Sequence, residues 1–254
     1  MTDSMLSRRR LLGIGTAGVG GLLLSGCDKL NRAPAFRSVL QGAEGLHKGA
    51  QRLLVGDSLA REFTEREMSP VFRANGSQSV DDTDYKTHAA QGFGGWSLVV
   101  DGLVRQPLAL PLAALLAMPQ REQITRHDCV EGWSAIGKWQ GPQLGPILAR
   151  AGLLPAARYA VFHCADRLGG KPYYESIDLA DAFHPQTILA WRMNGQPLPI
   201  AHGAPLRLRV ERQLGYKQAK YVMRVELRET LAGLYEGKGG YWEDHSDYAW
   251  YAGI

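Results

Sequence analysis

Apolar and charged positions alternate cleanly along Leu206-Arg207-Leu208-Arg209-Val210, the period of a strand with one face buried and one in water. Tyr221 to Leu227 alternates in the same way. Short apolar runs bounded by turn residues predict further strands: Trp96 to Val100, running into an Asp101-Gly102 turn, and Arg121 to Arg126. Tyr159 to Cys164, Tyr173 to Ile177, and Ile188 to Met193 before an Asn194-Gly195 turn complete that set. Helices are few and short. Leu108 to Met118, with Pro111 near its start, is expected to be helical and to stop at Pro119. Leu144 to Gly152 carries Pro146 in its first turn and a terminal glycine. Leu179 to Ala182 gives one turn before His184-Pro185. Residues 61–92 are polar and turn-rich, with Asn75-Gly76 and the run Asp81-Asp82-Thr83-Asp84, and read as loop. The sum is an α+β domain rich in β, with no internal repeat.

The first residues change this picture. Of 254 residues, 45% are hydrophobic and 21% charged, ordinary for a globular chain and consistent with one core. The N-terminus combines Arg8-Arg9-Arg10, an apolar and glycine-broken stretch from Leu11, and Leu24-Ser25-Gly26-Cys27. A charged start, apolar middle and small residues at the end make an export signal, too short for a comfortable membrane span. Ser7 to Leu12 resembles the twin-arginine signal, which exports folded proteins. Leu-Ser-Gly-Cys resembles a lipobox, which would make Cys27 a lipid-bearing first residue; Asp28 then resembles a signal for retention at the inner membrane. A plain cleaved signal with an incidental cysteine is the alternative. The expected organisation is a signal over 1–26, a tether and irregular lead-in over 27–60, and one domain over 61–254. Without the signal's three arginines and one aspartate the formal charge of +4 falls to +2. That balance, with no basic run interleaved with aromatics, argues against a nucleic-acid partner.

Export restricts what the cysteines do. With Cys27 assigned to lipid, Cys129 and Cys164 remain, and in an oxidising compartment they are able to pair as a disulfide. Cys129 lies in Arg126-His127-Asp128-Cys129-Val130-Glu131-Gly132-Trp133-Ser134. A buried structural cysteine is the plainest reading. Zinc on His127, Cys129, His163 and Cys164 has the right ligand types, but adjacent strand residues point to opposite faces. A cysteine–histidine hydrolase lacks a marked third residue to orient the histidine.

His127 to Ser134, followed by Trp139, resembles the cysteine segment of the molybdopterin-binding oxidoreductases of the sulfite oxidase superfamily. It is most like the bacterial branch that includes the catalytic subunit of periplasmic protein-methionine-sulfoxide reductase. The likeness continues through Asn194-Gly195-Gln196-Pro197-Leu198-Pro199, His202-Gly203-Ala204-Pro205-Leu206-Arg207 and Leu214-Gly215-Tyr216-Lys217-Gln218-Ala219-Lys220. It covers about residues 70 to 235. The resemblance implies a single-domain sulfite-oxidase-type fold and a molybdenum–molybdopterin cofactor, one per chain. Cys129 takes the place of its thiolate metal ligand, a soft donor suited to that metal. Cofactor-binding positions carry over to Asn75, to Cys164 where the related reductase has threonine, to His202 where it has asparagine, and to Arg207. Gln218, Ala219 and Lys220 supply backbone N–H groups and an ammonium for an anion, with Lys217 a further cation. Glu131, two residues after the cysteine, matches a carboxylate of the bacterial branch; a proton-moving role and a plain turn glutamate both remain open.

The arginine cluster that follows the cysteine in sulfite oxidases is absent, which weighs against sulfite. The chain has no Cys-x-x-Cys-His haem motif, so a separate electron partner is expected: a membrane cytochrome or quinone-linked subunit, or a soluble cytochrome. The reading is a periplasmic oxidoreductase, exported folded and tethered to the inner membrane through Cys27, performing two-electron oxo transfer. A non-enzymatic binding or assembly lipoprotein on the same fold, and a cofactor-free disulfide-bearing one, are the alternatives. The aromatic stretch Gly239 to Tyr251 caps the core, or lines a substrate or partner site.

Overall fold

The computed structural model describes residues 34–254; the signal, Cys27 and Asp28 lie outside them. Residues 57–254 form one compact unit. Its main sheet places β1 (Ser97–Gly102) beside β11 (Val222–Arg228) in parallel register, Val100 facing Val225. The other pairings are antiparallel and give the order β2-β1-β11-β5-β6, with β2 (Leu108–Pro111), β5 (Tyr159–Leu168) and β6 (Lys171–Asp178). Leu98, Val100, Val161, Phe162 and Val225 are buried beneath it, joined by Ile147 and Leu148 of α4 (Leu144–Ala151). At about 25 cal/mol per Å² of apolar area, such burial is the main stabilising term.

The second sheet carries the chemistry. β3 (Gln120–Cys129) and β4 (Trp133–Pro142) form a long hairpin, extended by β8 (Arg192–Met193) and β9 (Gln196–Pro197). Beside it β10 (Arg207–Arg209) pairs with β7 (Ile188–Ala190). The expected break at Asn194-Gly195 is there, both residues having positive φ. The single helical turn is also present, as α5 (Leu179–Ala182), with Asp178 accepting the Asp181 N–H.

Several expectations need correction. The lead-in is not irregular throughout: α1 (Pro34–Val55) is helical, its proline at the first position where a missing N–H costs nothing. Gly42, Gly45 and Gly49 hid its pattern. The acidic run is not all loop: Asp82 caps α2 (Thr83–Ala90) by accepting the Tyr85 N–H at 2.8 Å. Leu108 to Pro111 is extended, and only α3 (Leu112–Leu116) is helical. β2 is an edge strand, so Pro111 leaves no ladder partner unsatisfied. The Ile188–Met193 run divides at Trp191, between β7 and β8.

Strand β4 had no clear signature because glycines interrupt it. Gly141 is required by space: a side chain there would collide with the Leu189 and Ala190 backbone of β7. The alternation around β10 misled in the opposite direction. Arg207 and Arg209 are both fully buried, not half in water, because Trp139 covers them, its ring centroid 4.3 Å from the Arg209 guanidinium carbon and 5.3 Å from that of Arg207.

Candidate active site

Cys129 is the last residue of β3 and faces Trp133 across the hairpin. The turn between them closes with the Gly132 N–H donating to the Cys129 carbonyl at 3.1 Å, and Gly132 has φ +84°, a conformation that favours glycine. Asp128 braces this end, accepting from Arg126 Nε at 2.9 Å and from the Ser134 hydroxyl. Glu131 accepts from the Trp133 indole at 3.0 Å, which holds its carboxylate at the turn. Behind the hairpin tip, buried His127 packs near Phe72 and Trp133, with Nδ1 3.2 Å from an Arg209 nitrogen. Gly215 presses against this ring so closely that a side chain there would strike it.

Cys129, Val130 and Glu131 open onto a cavity of about 170 Å³. Asn75-Gly76-Ser77 form one wall, Asp166, Leu168 and Tyr173 another, and Gly215, Tyr216, Gln218 and Lys220 a third. Trp242 and Tyr248 close it from the C-terminal segment around α6 (Tyr241–Ser246). Burial, with the Glu131 charge adding to it, pushes the Cys129 thiol up. Such a sulfur needs an electron-pair acceptor to be held as thiolate.

The cations lie on the far side. Lys220 donates to the carbonyls of Asn75 at 2.7 Å and Ala201 at 3.0 Å, and to that of Ser77. Arg207 reaches the Asn75 side-chain oxygen and the His202 carbonyl only at 3.4 Å, and its Nε is buried without a partner. Neither is ion-paired to a carboxylate among the described residues. Burial and the neighbouring Arg207 pull Lys220 down to about 7, and burial with Arg209 pulls Arg207 down to about 9. Burial and Arg207 hold His202 at about 4, neutral under ordinary conditions. Buried positive charge without a counter-ion is costly and favours an anionic ligand.

Residues 86–234 match the oxidoreductase molybdopterin binding domain. The chain belongs to that family.

Relatives agree with the assignment. A protein of Azospira oryzae, provisionally named a protein-methionine-sulfoxide reductase subunit, is 38% identical over 92% of this chain and 84% of its own length. The protein-methionine-sulfoxide reductase catalytic subunit of Xanthomonas campestris is 32% identical over 88% of this chain and 70% of its own. Among solved structures, the sulfane dehydrogenase SoxCD of Paracoccus pantotrophus shares the fold, with a TM-score of 0.50 and 23% identity, over 56% of this chain and 40% of that one. The chain is thus a molybdopterin-dependent oxidoreductase with the sulfite-oxidase-like fold.

The residues present fit a molybdenum cofactor. A cavity-facing thiol, two cations without carboxylate partners and an orphaned guanidinium nitrogen provide a metal donor and an anion grip. Of the positions expected from sequence, Asn75, Cys129, Glu131, Gln218 and Lys220 meet at the cavity. Arg207 and His202 lie behind Asn75 and Lys220, joined to them through the contacts above. Ala219 is buried, its carbonyl accepting the Leu208 N–H.

Cys164 and Lys217 are placed elsewhere. Cys164 packs against the main core, its sulfur 3.9 Å from the Phe162 carbonyl, and is free, as is Cys129. The disulfide alternative therefore fails. Among the described residues no group of His, Cys, Asp and Glu converges as a metal site, so zinc has no support either. Lys217 points away from the cavity into a buried cluster with Glu175, 2.7 Å away, and Glu243. Sequence reasoning passed over Ser77, Asp166 and Tyr173, which belong to no recognisable motif. It also left undecided the tail, whose Tyr241 joins the core while Trp242 and Tyr248 line the cavity.

Proposed function

We propose that this chain is the catalytic subunit of an exported reductase for methionine sulfoxide in proteins. The observation that carries the reading is the wall of the cavity beside Cys129. Tyr216, Trp242 and Tyr248 line it with Glu131, and no arginine is among the described lining residues. Aromatic walls suit a polarizable, uncharged sulfur side chain, whereas a small anion such as sulfite needs surrounding cations. The names of the Azospira and Xanthomonas relatives point the same way.

The bound cofactor, one per chain, supplies oxygen-atom acceptance and two-electron transfer. Cys129 would be its thiolate ligand, and Asn75, His202, Arg207, Gln218, Ala219 and Lys220 would hold its pterin and phosphate. Reduction of a sulfoxide consumes two electrons and two protons and yields thioether and water. Glu131, held by Trp133 at the cavity mouth, moves those protons. Electrons arrive from a separate membrane partner. The likeness of Ser7 to Leu12 to a twin-arginine signal and of Leu24 to Cys27 to a lipobox supports export of the loaded enzyme to the periplasm and a tether at Cys27.

The test uses purified enzyme with a reduced viologen dye as electron donor. Oxidation of the dye on adding methionine sulfoxide, free or in an oxidised protein, is the expected result. No dye oxidation with sulfoxide, together with reduction of an added oxidised acceptor such as ferricyanide by sulfite, overturns the substrate assignment. Fractionation of cells carrying Cys27→Ala tests the anchor: the variant is expected in the soluble fraction, and an unchanged membrane fraction overturns it.

A further inference from the structure

Asp166 is a cavity residue with an unsatisfied hydrogen-bond acceptor. The pairing of β5 with β6 breaks register between His163 and Arg167, and Asp166 lies in that irregularity, lining the cavity and only 3% exposed. Its Oδ2 accepts the Ser77 hydroxyl at 2.7 Å. Its Oδ1 is buried with no hydrogen-bond partner.

The neighbouring donors are committed elsewhere. Lys220 has three ammonium hydrogens and directs its bonds to three carbonyls, those of Asn75, Ser77 and Ala201. Tyr173 donates to the Tyr216 carbonyl at 2.9 Å. A buried carboxylate oxygen left bare costs on the order of 1–3 kcal/mol or more, so its partner comes from whatever fills the cavity. A pterin presents an exocyclic amine and adjacent ring N–H groups along one edge, and a carboxylate is their natural acceptor. We propose that Asp166 grips the N–H-rich edge of the cofactor's pterin through Oδ1, at a point separate from the thiolate of Cys129 and from the cations Arg207 and Lys220. Burial, which pushes the Asp166 carboxyl up, is offset when such donors arrive, because hydrogen bonds to the charged form favour it.

The inference rests on the cofactor and is independent of the substrate. Asp166→Leu and Asp166→Asn are compared with wild type in two measurements: the rate at which pterin fluorescence is released from loaded protein, and the thermal midpoint of the cofactor-free protein. Asp166→Leu is expected to release pterin about tenfold faster or more, and Asp166→Asn, which keeps one acceptor, by a smaller factor. The cofactor-free midpoints should stay near wild type: Leu removes the bare acceptor along with the Ser77 bond, and Asn replaces a buried carboxylate by a neutral amide. Unchanged release overturns the proposal. So does faster release accompanied by a cofactor-free midpoint well below wild type in both variants, which gives Asp166 a packing role instead.

Discussion

Lys217 and Glu175 are ion-paired at 2.7 Å with no exposure of either side chain, and Glu243 closes on the same ammonium. Three chain segments meet there: strand β6, the short 3-10 turn Gly215–Lys217 that borders the cavity, and α6 of the tail. Burial and the facing Glu243 push Glu175 well above the usual carboxylate range. Lys217→Met strands two carboxylates in the interior and should cost about 3–5 kcal/mol in denaturant unfolding. Glu175 binds its proton more tightly folded than unfolded, so the deficit should shrink as pH falls and Glu175 is neutralised.

Gly240 is extended, with φ −169°, so any residue fits its backbone. Space forbids a side chain: a Cβ would overlap the carboxylates of Glu175 and Glu243. Gly240→Ala should destabilise by about 1–3 kcal/mol. The tail should also become cleavable by protease at concentrations that leave wild type intact.

Lys220 titrates at about 7 in the cofactor-free fold, against about 10.4 in an unfolded chain. Between those values the unfolded chain holds more protons, so this group's contribution to stability rises with pH. Its penalty is complete below about pH 7. Cofactor-free wild type should therefore gain on Lys220→Met between pH 7 and 9.5, by at most about 1.4 kcal/mol per pH unit, in parallel denaturation curves.

Cys129→Ser should bring turnover to background and lower the molybdenum content, while far-ultraviolet circular dichroism stays that of wild type. Glu131→Gln should separate metal binding from proton delivery. Molybdenum content is expected to hold, and kcat to fall about 10²-fold. A variant with normal kcat would reduce Glu131 to a partner of Trp133.

Much of the fold was legible because strands of the main sheet bury one clear apolar set, as Tyr159 to Phe162 and Trp96 to Val100 show. Cys129, Glu131, Gln218 and Lys220 were legible through ordered motifs. Pattern failed where the interior is polar. Arg207 and Arg209 read as a solvated face because alternation assigns charge to water, yet here Trp139 covers both and Glu211 takes two bonds from Arg209, at 2.9 and 2.6 Å. Lys217 sat inside a motif that gave no hint of Glu175, 42 residues away, or of Glu243. Asp166 was invisible for a related reason: a break in strand register, not a motif, turns it inward.

The cavity draws its walls from segments as far apart in sequence as Asn75 and Tyr248. On a ribosome, the segment bearing Trp242 and Tyr248 emerges after the Cys129 hairpin has been made. A nascent chain that lacks Tyr248 therefore lacks part of the pocket wall. A pocket closed by Trp242 and Tyr248 thus forms only after the segment that carries them has been made.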